Sequence, residues 1–526
     1  MTGHVELVIL FLLVTVAALT ALARVLRVPY PILLVVGGSL VGFAPGVPDV
    51  QLPPDLVLLI FLPPLLFNAA YFSSARDLRA GMRPIVLTAI GLVLVTTCAV
   101  AVAAHAVVDG LPWAAAFALG AIVSPTDPLA ATTIMRRLGV PNRVTAVIEG
   151  ESLVNDGTAL VAYRTAVAAA VGGSFDLLDA TGDFVVNVLG GIAVGVVAGA
   201  LVVAALRKLV ADDVVGVVIS LAAGYIAYIP AEEIGVSGVL AAVTIGLIVG
   251  HRSSELSTPA SRLRGYGFWE VLVFLLNAVL FVLVGLQLPG ILSEQDRSAV
   301  ELIALGALIG LVVIGTRLLW VHTTPYLIRA LDRRPSQVAR RVSWQLRVIA
   351  GWSGLRGSVS LAAALALPHG FPERELLIFL TLVVIFATLV LQGLTLPLLI
   401  RRLGIEDDGA GEREELRARG EAAQAGIEHL RRLAEEDWTR QDSVERMIKL
   451  YEFRLRRLKQ RAGKLDVDGD EGDLNERSET YQRMVREVLD AQRVRIIELR
   501  DEGVISDSVL YALERELDLE DQRLEI

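Results

Sequence analysis

The chain has 526 residues, 54% of them hydrophobic and 20% charged, with a mean hydropathy of +0.59 and a formal net charge of −9. So apolar a composition at this length excludes a soluble globular protein and a disordered one, and points to repeated passage through a bilayer. Cys98 is the single cysteine, which excludes a disulfide framework, an iron–sulfur cluster and a Cys-based zinc site; its apolar surroundings predict a packing residue.

Crossing ~30 Å of hydrocarbon takes roughly 20 apolar residues as helix. The first four hundred residues divide into about thirteen such stretches: 5–23, 30–46, 53–72, 84–108, 112–135, 145–171, 184–206, 213–230, 235–250, 267–289, 300–321, 343–367 and 375–400. The first lacks a basic leader and a small-residue cleavage site, so it reads as a span and not as a signal peptide. Lys and Arg accumulate in cytoplasmic loops. Alternate connections hold Arg24 and Arg27; Arg76, Arg79 and Arg83; Arg136, Arg137 and Arg143; Arg207 and Lys208; Arg252, Arg262 and Arg264; and the run from Arg329 to Arg347. The intervening connections hold only Arg297 and Arg374. This asymmetry predicts an N-terminus outside and a C-terminus in the cytosol, and requires an odd number of spans.

Ionisable and helix-breaking residues inside the spans mark the function, because a charge at the bilayer centre costs at least ~2.5 kcal/mol and survives only beside a cavity or a partner. The first cluster is Ser124-Pro125-Thr126-Asp127-Pro128 in the fifth span. Its two prolines remove helix donors and free the carbonyls of Ala121 and Ser124, which a plain kink or a cavity-lining break would both produce. The second is Glu151-Ser152-Leu153-Val154-Asn155-Asp156 in the sixth span. At ~100° per residue, with Glu151 as origin, Asn155 falls near ~40°, Ser152 near ~100° and Asp156 near ~140°, so all four share one side of the helix. Ser152 and Asp156 are also i,i+4 neighbours, which sets a hydroxyl beside a carboxylate in the manner that hard cations prefer. The third cluster is the glycine-rich Gly351–Gly357 in the twelfth span, carrying Arg356. A buried arginine needs an anion, and Glu151 is the expected partner; Arg164 and Arg317, nearer span ends, are expected to snorkel to the surface. Breaks in the fifth and twelfth spans, seven apart, predict two inverted repeats with a site at their meeting point.

After Arg401 the sequence turns polar: Arg401 to Ile526 carries 24 basic and 33 acidic residues, and the preceding 400 carry 24 of each. The expected organisation is a transmembrane domain over 1–403 and a cytosolic helical tail over 404–526. Leu450, Phe453 and Leu458 suggest an apolar stripe on one tail helix. The acidic run Asp466–Asp473 lacks the Gly and Glu positions of an EF-hand and reads as a linker.

Six segments, FLPPLLFNAAYF (61–72), SPTDP (124–128), GESLVNDGTALVAY (150–163), SGVLAAVTIGL (237–247), GLRGSVSLAAALALP (354–368) and ISDSVLYALERELDLE (505–520), together resemble the NhaP-type sodium/proton antiporters, the bacterial branch of the monovalent cation:proton antiporter-1 family. The resemblance implies an all-α polytopic membrane protein, a homodimer in the plasma membrane, serving pH and sodium homeostasis. It needs no cofactor, binds no nucleic acid and is a secondary transporter, not an enzyme. It implies Asp156 as the ion-binding carboxylate, with Ser152, Thr126, Asp127 and Asn155 around it and Na⁺ held by Asp156, Ser152 and Thr126. It also implies a structural Glu151–Arg356 pair. Asn155 before Asp156 marks the type whose members are electroneutral. Asn68 stands where several relatives carry an acid, so one ligand of those relatives is missing. A carboxylate out of water favours its protonated form and a neighbouring cation its ionised form, so Na⁺ (or Li⁺) and H⁺ displace each other. K⁺/H⁺ exchange is the nearest alternative. An intramembrane aspartyl protease lacks its Gly-x-Gly-Asp here, and a channel or sensor would not couple the two ions.

Overall fold

The computed structural model describes residues 2–26, 30–44, 54–172, 177–209, 213–293, 297–331, 342–405, 409–461 and 471–524. Among them every regular element is a helix, and the chain divides into two compact units, Met1–Asp407 and Asp408–Ile526.

The first unit begins with α1 (Thr2–Leu26), α2 (Tyr30–Gly42), α3 (Pro54–Tyr71) and the short α4 (Ala75–Ala80), then α5 (Met82–Val107). The fifth expected span is a broken pair, α6 (Trp113–Val123) and α7 (Leu129–Arg137), followed by α8 (Asn142–Gly172), α9 (Leu177–Leu209), α10 (Asp213–Glu233) and α11 (Gly238–His251). Beyond the single turn α12 (Ser253–Leu256) come α13 (Pro259–Ser293) and α14 (Ala299–Leu331). A second broken pair, α15 (Trp344–Trp352) and α16 (Ser358–Leu365), precedes α17 (Arg374–Arg402). Six of these helices, α5, α9, α10, α13, α14 and α17, contain stretches long and apolar enough to cross a bilayer. α8 is long as well, but it carries Glu149, Glu151, Asp156 and Arg164 in its length.

Many large apolar side chains point outward, among them Leu94, Val95 and Val102 on α5. In water such a surface would aggregate; against lipid it is the required one. Cys98 lies on this outward face, exposed, and so is not the packing residue expected of it.

With hydrocarbon on the outside, helices gain little by hiding apolar area and associate through close van der Waals fit. The seam between α2 and α13 shows how: a Cβ on Gly38 would lie 2.7 Å from the carbonyl oxygen of Val282, and one on Gly285 2.5 Å from that of Val35. α9, α10 and α11 form a separate cluster with Phe67 and Trp269, while the broken pairs, α5, α8, α14 and α17 pack within the main core. Arg164 of α8 joins the two clusters. It was expected to snorkel, yet it lies 2.5 Å from Glu232 of α10, whose other oxygen accepts the backbone N–H of Gly238 at 2.9 Å. A carboxylate already fixed at the start of α11 gives the guanidinium a nearer partner than the interface.

The second unit contains α18 (Ala410–Leu433), α19 (Gln441–Arg461), α20 (Glu471–Asp501) and α21 (Asp507–Leu524). α18 and α19 pair through Ala423, Ile427, Leu455, Ile448 and Tyr451. The stripe is thus 448–451–455, one helical face, and not the expected Leu450, Phe453 and Leu458; Leu450 is 49% exposed. α20 and α21 are joined by Gly503 at φ 73°, and Arg493 reaches Asp490, Asp518 and Asp521. Of the acidic run, residues 466–470 lie outside the described residues.

Candidate ion-binding site

The two breaks cross and complete each other's hydrogen bonds. α6 ends at Ser124 because Pro125 and Pro128 have no N–H to give. The freed carbonyl of Ala121 accepts the Ser124 hydroxyl at 3.0 Å, and the freed carbonyl of Ser124 accepts Nη1 of Arg356 at 2.6 Å. The Asp127 N–H donates to the carbonyl of Leu355 at 2.8 Å. The Asp127 carboxylate accepts the backbone N–H of Leu129 at 3.0 Å and lies beside Gly357 and Ser358, so one acid sits at the start of the second half of both broken helices. Arg356 is further fixed by its backbone N–H, which donates to Thr388 Oγ1 at 3.2 Å. Thr388 opens a π-helical turn, Thr388–Gln392, within α17.

Gly357 permits the crossing. A Cβ there would lie 1.9 Å from Oδ2 of Asp127, a separation no carbon–oxygen contact tolerates. Gly357→Ala is therefore expected to push the two breaks apart and lower exchange on the order of tenfold or more, since displacements near ~1 Å cost about that much at a precisely held site. Initial rates in everted vesicles at matched protein content check this, with Gly370→Ala, at a glycine with nothing within 4 Å of an added Cβ, as the control.

α8 lies against this crossing with Glu151, Ser152, Asn155 and Asp156 at 3%, 6%, 1% and 7% exposure, the four residues placed together by helical periodicity. Ser152 Oγ donates to the Thr126 carbonyl at 2.7 Å, and Asn155 Nδ2 donates to Thr126 Oγ1 at 2.9 Å. Thr126 Oγ1 in turn faces Glu151 Oε1 at 3.4 Å. Glu151 is not paired with Arg356, as expected, but with Arg317 of α14, which meets it in a two-pronged contact, Nη1 to Oε1 and Nη2 to Oε2, the latter 3.2 Å. Arg317 is 1% exposed and so does not snorkel. It also donates to the Ala350 carbonyl from Nε at 3.3 Å and from Nη2 at 3.1 Å. The correction has a steric cause: Gly354 clears the way, since a Cβ there would sit 2.3 Å from Arg317 Cδ. Arg356, meanwhile, is committed to the carbonyl that the prolines released. Sequence reasoning missed Arg317; the glycine at 354 was the available signal.

What remains is Asp156. Every other member of the cluster has a hydrogen-bond partner, whereas no described residue donates to the Asp156 carboxylate, although Asp127 is near enough to act on it electrostatically. Beside it, Asn155 Oδ1 is buried without a donor. Asn68 is half-buried on α3, with no hydrogen bond to the cluster among the described residues.

A carboxylate and an amide oxygen left unpaired at the crossing of two interrupted helices form an oxygen-only set suited to a hard monovalent cation or to a proton. The profile of the transmembrane sodium/hydrogen exchangers matches residues 10–402. The chain belongs to this family. It is 37% identical over 530 residues to an uncharacterized Na⁺/H⁺ exchanger of Mycobacterium tuberculosis H37Rv, covering 98% of this chain and 96% of that one. It is 35% identical over 429 residues to the Na⁺/H⁺ antiporter ApNhaP of Aphanothece halophytica, with 81% and 80% covered. The sodium, potassium, lithium and rubidium/H⁺ antiporter of Bacillus subtilis is 33% identical over 410 residues, with 75% and 61% covered. The fold of the sodium proton antiporter MjNhaP1 from Methanocaldococcus jannaschii superposes with a TM-score of 0.59 at 18% identity, over 76% of this chain and 99% of that one. This exchanger is accordingly an NhaP-type antiporter, a secondary transporter embedded in a membrane.

Proposed function

We propose that the exchanger carries Na⁺ against H⁺ at Asp156, one ion replacing the other on the same carboxylate. The observation that carries this reading is a buried acid with no donor of its own, set among partnered neighbours. Asn155 Oδ1, Ser152 Oγ and the Thr126 oxygens supply further ligands for the cation. Asp127 serves the site from the start of the second half of both broken helices, and the Glu151–Arg317 pair by holding α8 to α14. Asn155 contributes no second charge, so exchange is electroneutral. The membrane unit crosses the plasma membrane thirteen times as two inverted repeats, outside N-terminus to cytosolic tail, and works as a homodimer in pH and sodium homeostasis.

Na⁺ and Li⁺ are expected to dissipate a preset proton gradient in everted vesicles at lower concentrations than K⁺. K⁺ as effective as Na⁺ would replace this reading by the broader one that the name of the Bacillus subtilis relative suggests. The tail is a regulator in this reading: ending the chain after Leu403 is expected to preserve exchange and displace its pH profile, and an unaltered profile would remove that role.

A further inference from the structure

A second polar site lies away from the transport carboxylate, where the end of α3 meets the starts of α10 and α13. There a small open cleft is walled by Tyr71, Ser253, Ser257, Arg262, Tyr266 and Trp269, among others. Its polar groups converge. The hydroxyls of Tyr71, Ser253 and Ser257 lie close together, and the Arg262 guanidinium is near enough to act on the same phenol. Arg262 donates from Nη1 to the Ser257 carbonyl at 2.7 Å, and among the described residues this is its single acceptor and no carboxylate pairs with it. Trp269 Nε1 donates to Ser220 Oγ at 3.1 Å on the opposite wall. None of the described residues lining the cleft is acidic.

Hydroxyls, a guanidinium with donors to spare and the first turn of α13 all favour a negative guest, and the guanidinium fork matches the geometry of phosphate oxygens. The mouth carries an aromatic shelf. Phe72 and Tyr266 meet at a tilt, 5.3 Å between centroids, and are 42% and 57% exposed, the placement that aromatic side chains adopt at the headgroup level of a bilayer. On this rim Arg207 is already paired with Glu255 at 3.3 Å, so the anchor for a guest is Arg262 within the cleft.

We propose that this cleft binds a phosphate-bearing anion, its phosphate seated on Arg262 and the Tyr71–Ser253–Ser257 hydroxyls. Two sources share this chemistry, a phospholipid headgroup and free phosphate, and they can be told apart on the purified full chain in detergent. Melting is followed with added phosphatidylglycerol, with inorganic phosphate at fixed ionic strength, and with a diacylglycerol of the same acyl chains as the phosphate-free control. Stabilisation by phosphatidylglycerol alone identifies a lipid site, and stabilisation by inorganic phosphate a site for the free ion. In either case Arg262→Gln is expected to weaken the apparent affinity roughly tenfold or more, the usual size of one charge-assisted contact.

A second variant guards against misfolding of the first. Gly265→Leu fills the cleft from a position where an added Cβ meets nothing within 4 Å, and it is expected to abolish the ligand-induced shift while keeping the ligand-free melting point. No shift with either phosphate compound overturns the proposal. So does an equal shift with diacylglycerol, or one that survives in both variants.

Discussion

Asp156→Asn is expected to abolish cation-coupled proton flux while leaving the purified protein at least as stable as its parent. The two halves of this expectation have one cause. The carboxylate is 7% exposed and receives no hydrogen bond from the described residues, so its charge is held out of water without compensation. The ionised form is costly there, the protonated form is not, and the isosteric amide matches the protonated form in shape while having no charged form to bury. Function fails for the same reason: an amide neither takes up a proton near neutral pH nor offers a full negative charge to a cation. Everted vesicles with an imposed proton gradient measure the flux, and a melting curve of the same preparation measures the fold. Residual sodium-driven proton movement would sink the proposed role; a collapse of stability would show instead that the carboxylate is a structural partner.

The face that carries Asp156 was legible because helix periodicity is local: residues 151, 152, 155 and 156 fall on one side of any α-helix. The breaks were legible too, since proline removes a donor wherever it stands. Partner choice was not. Glu151 had two arginines within reach in sequence terms, and which one arrives depends on the space beneath Gly354 and on the carbonyl that Pro125 and Pro128 release at Ser124. The proline argument contained half of the answer. A freed carbonyl inside a membrane demands a donor, and following that demand would have claimed Arg356 and left Glu151 for Arg317. Arg164 was misjudged on similar grounds, because Glu232 is 68 residues away and nothing local announces the meeting. In the tail, choosing Ile448, Tyr451 and Leu455 over Leu450, Phe453 and Leu458 required knowing where α18 lies, which an isolated helix does not reveal.

The Glu151–Arg317 pair supports the second large expectation. Side-chain exposures of 4% and 2% mean that removing one partner leaves the other charged and dry, which costs about 3–5 kcal/mol. Arg317→Ala adds the lost donors to the Ala350 carbonyl and a void beside Gly354, and is expected to lower the melting point sharply or prevent assembly. Neutralising both sites at matched volume, Glu151→Gln with Arg317→Met, removes the stranded charge and is expected to recover much of the stability. Exchange in that double variant then separates two roles. Glu151 is linked through Thr126 Oγ1 to Asn155, the residue beside the transport carboxylate, so a purely structural pair predicts recovery of stability and flux together. Stability restored with flux still lost would place the Glu151 charge within the electrostatics of the ion site, acting on Asp156 along the Thr126–Asn155 chain. A double variant as unstable as either single one would contradict the pairing itself, since a charge with no partner cannot be relieved by removing one.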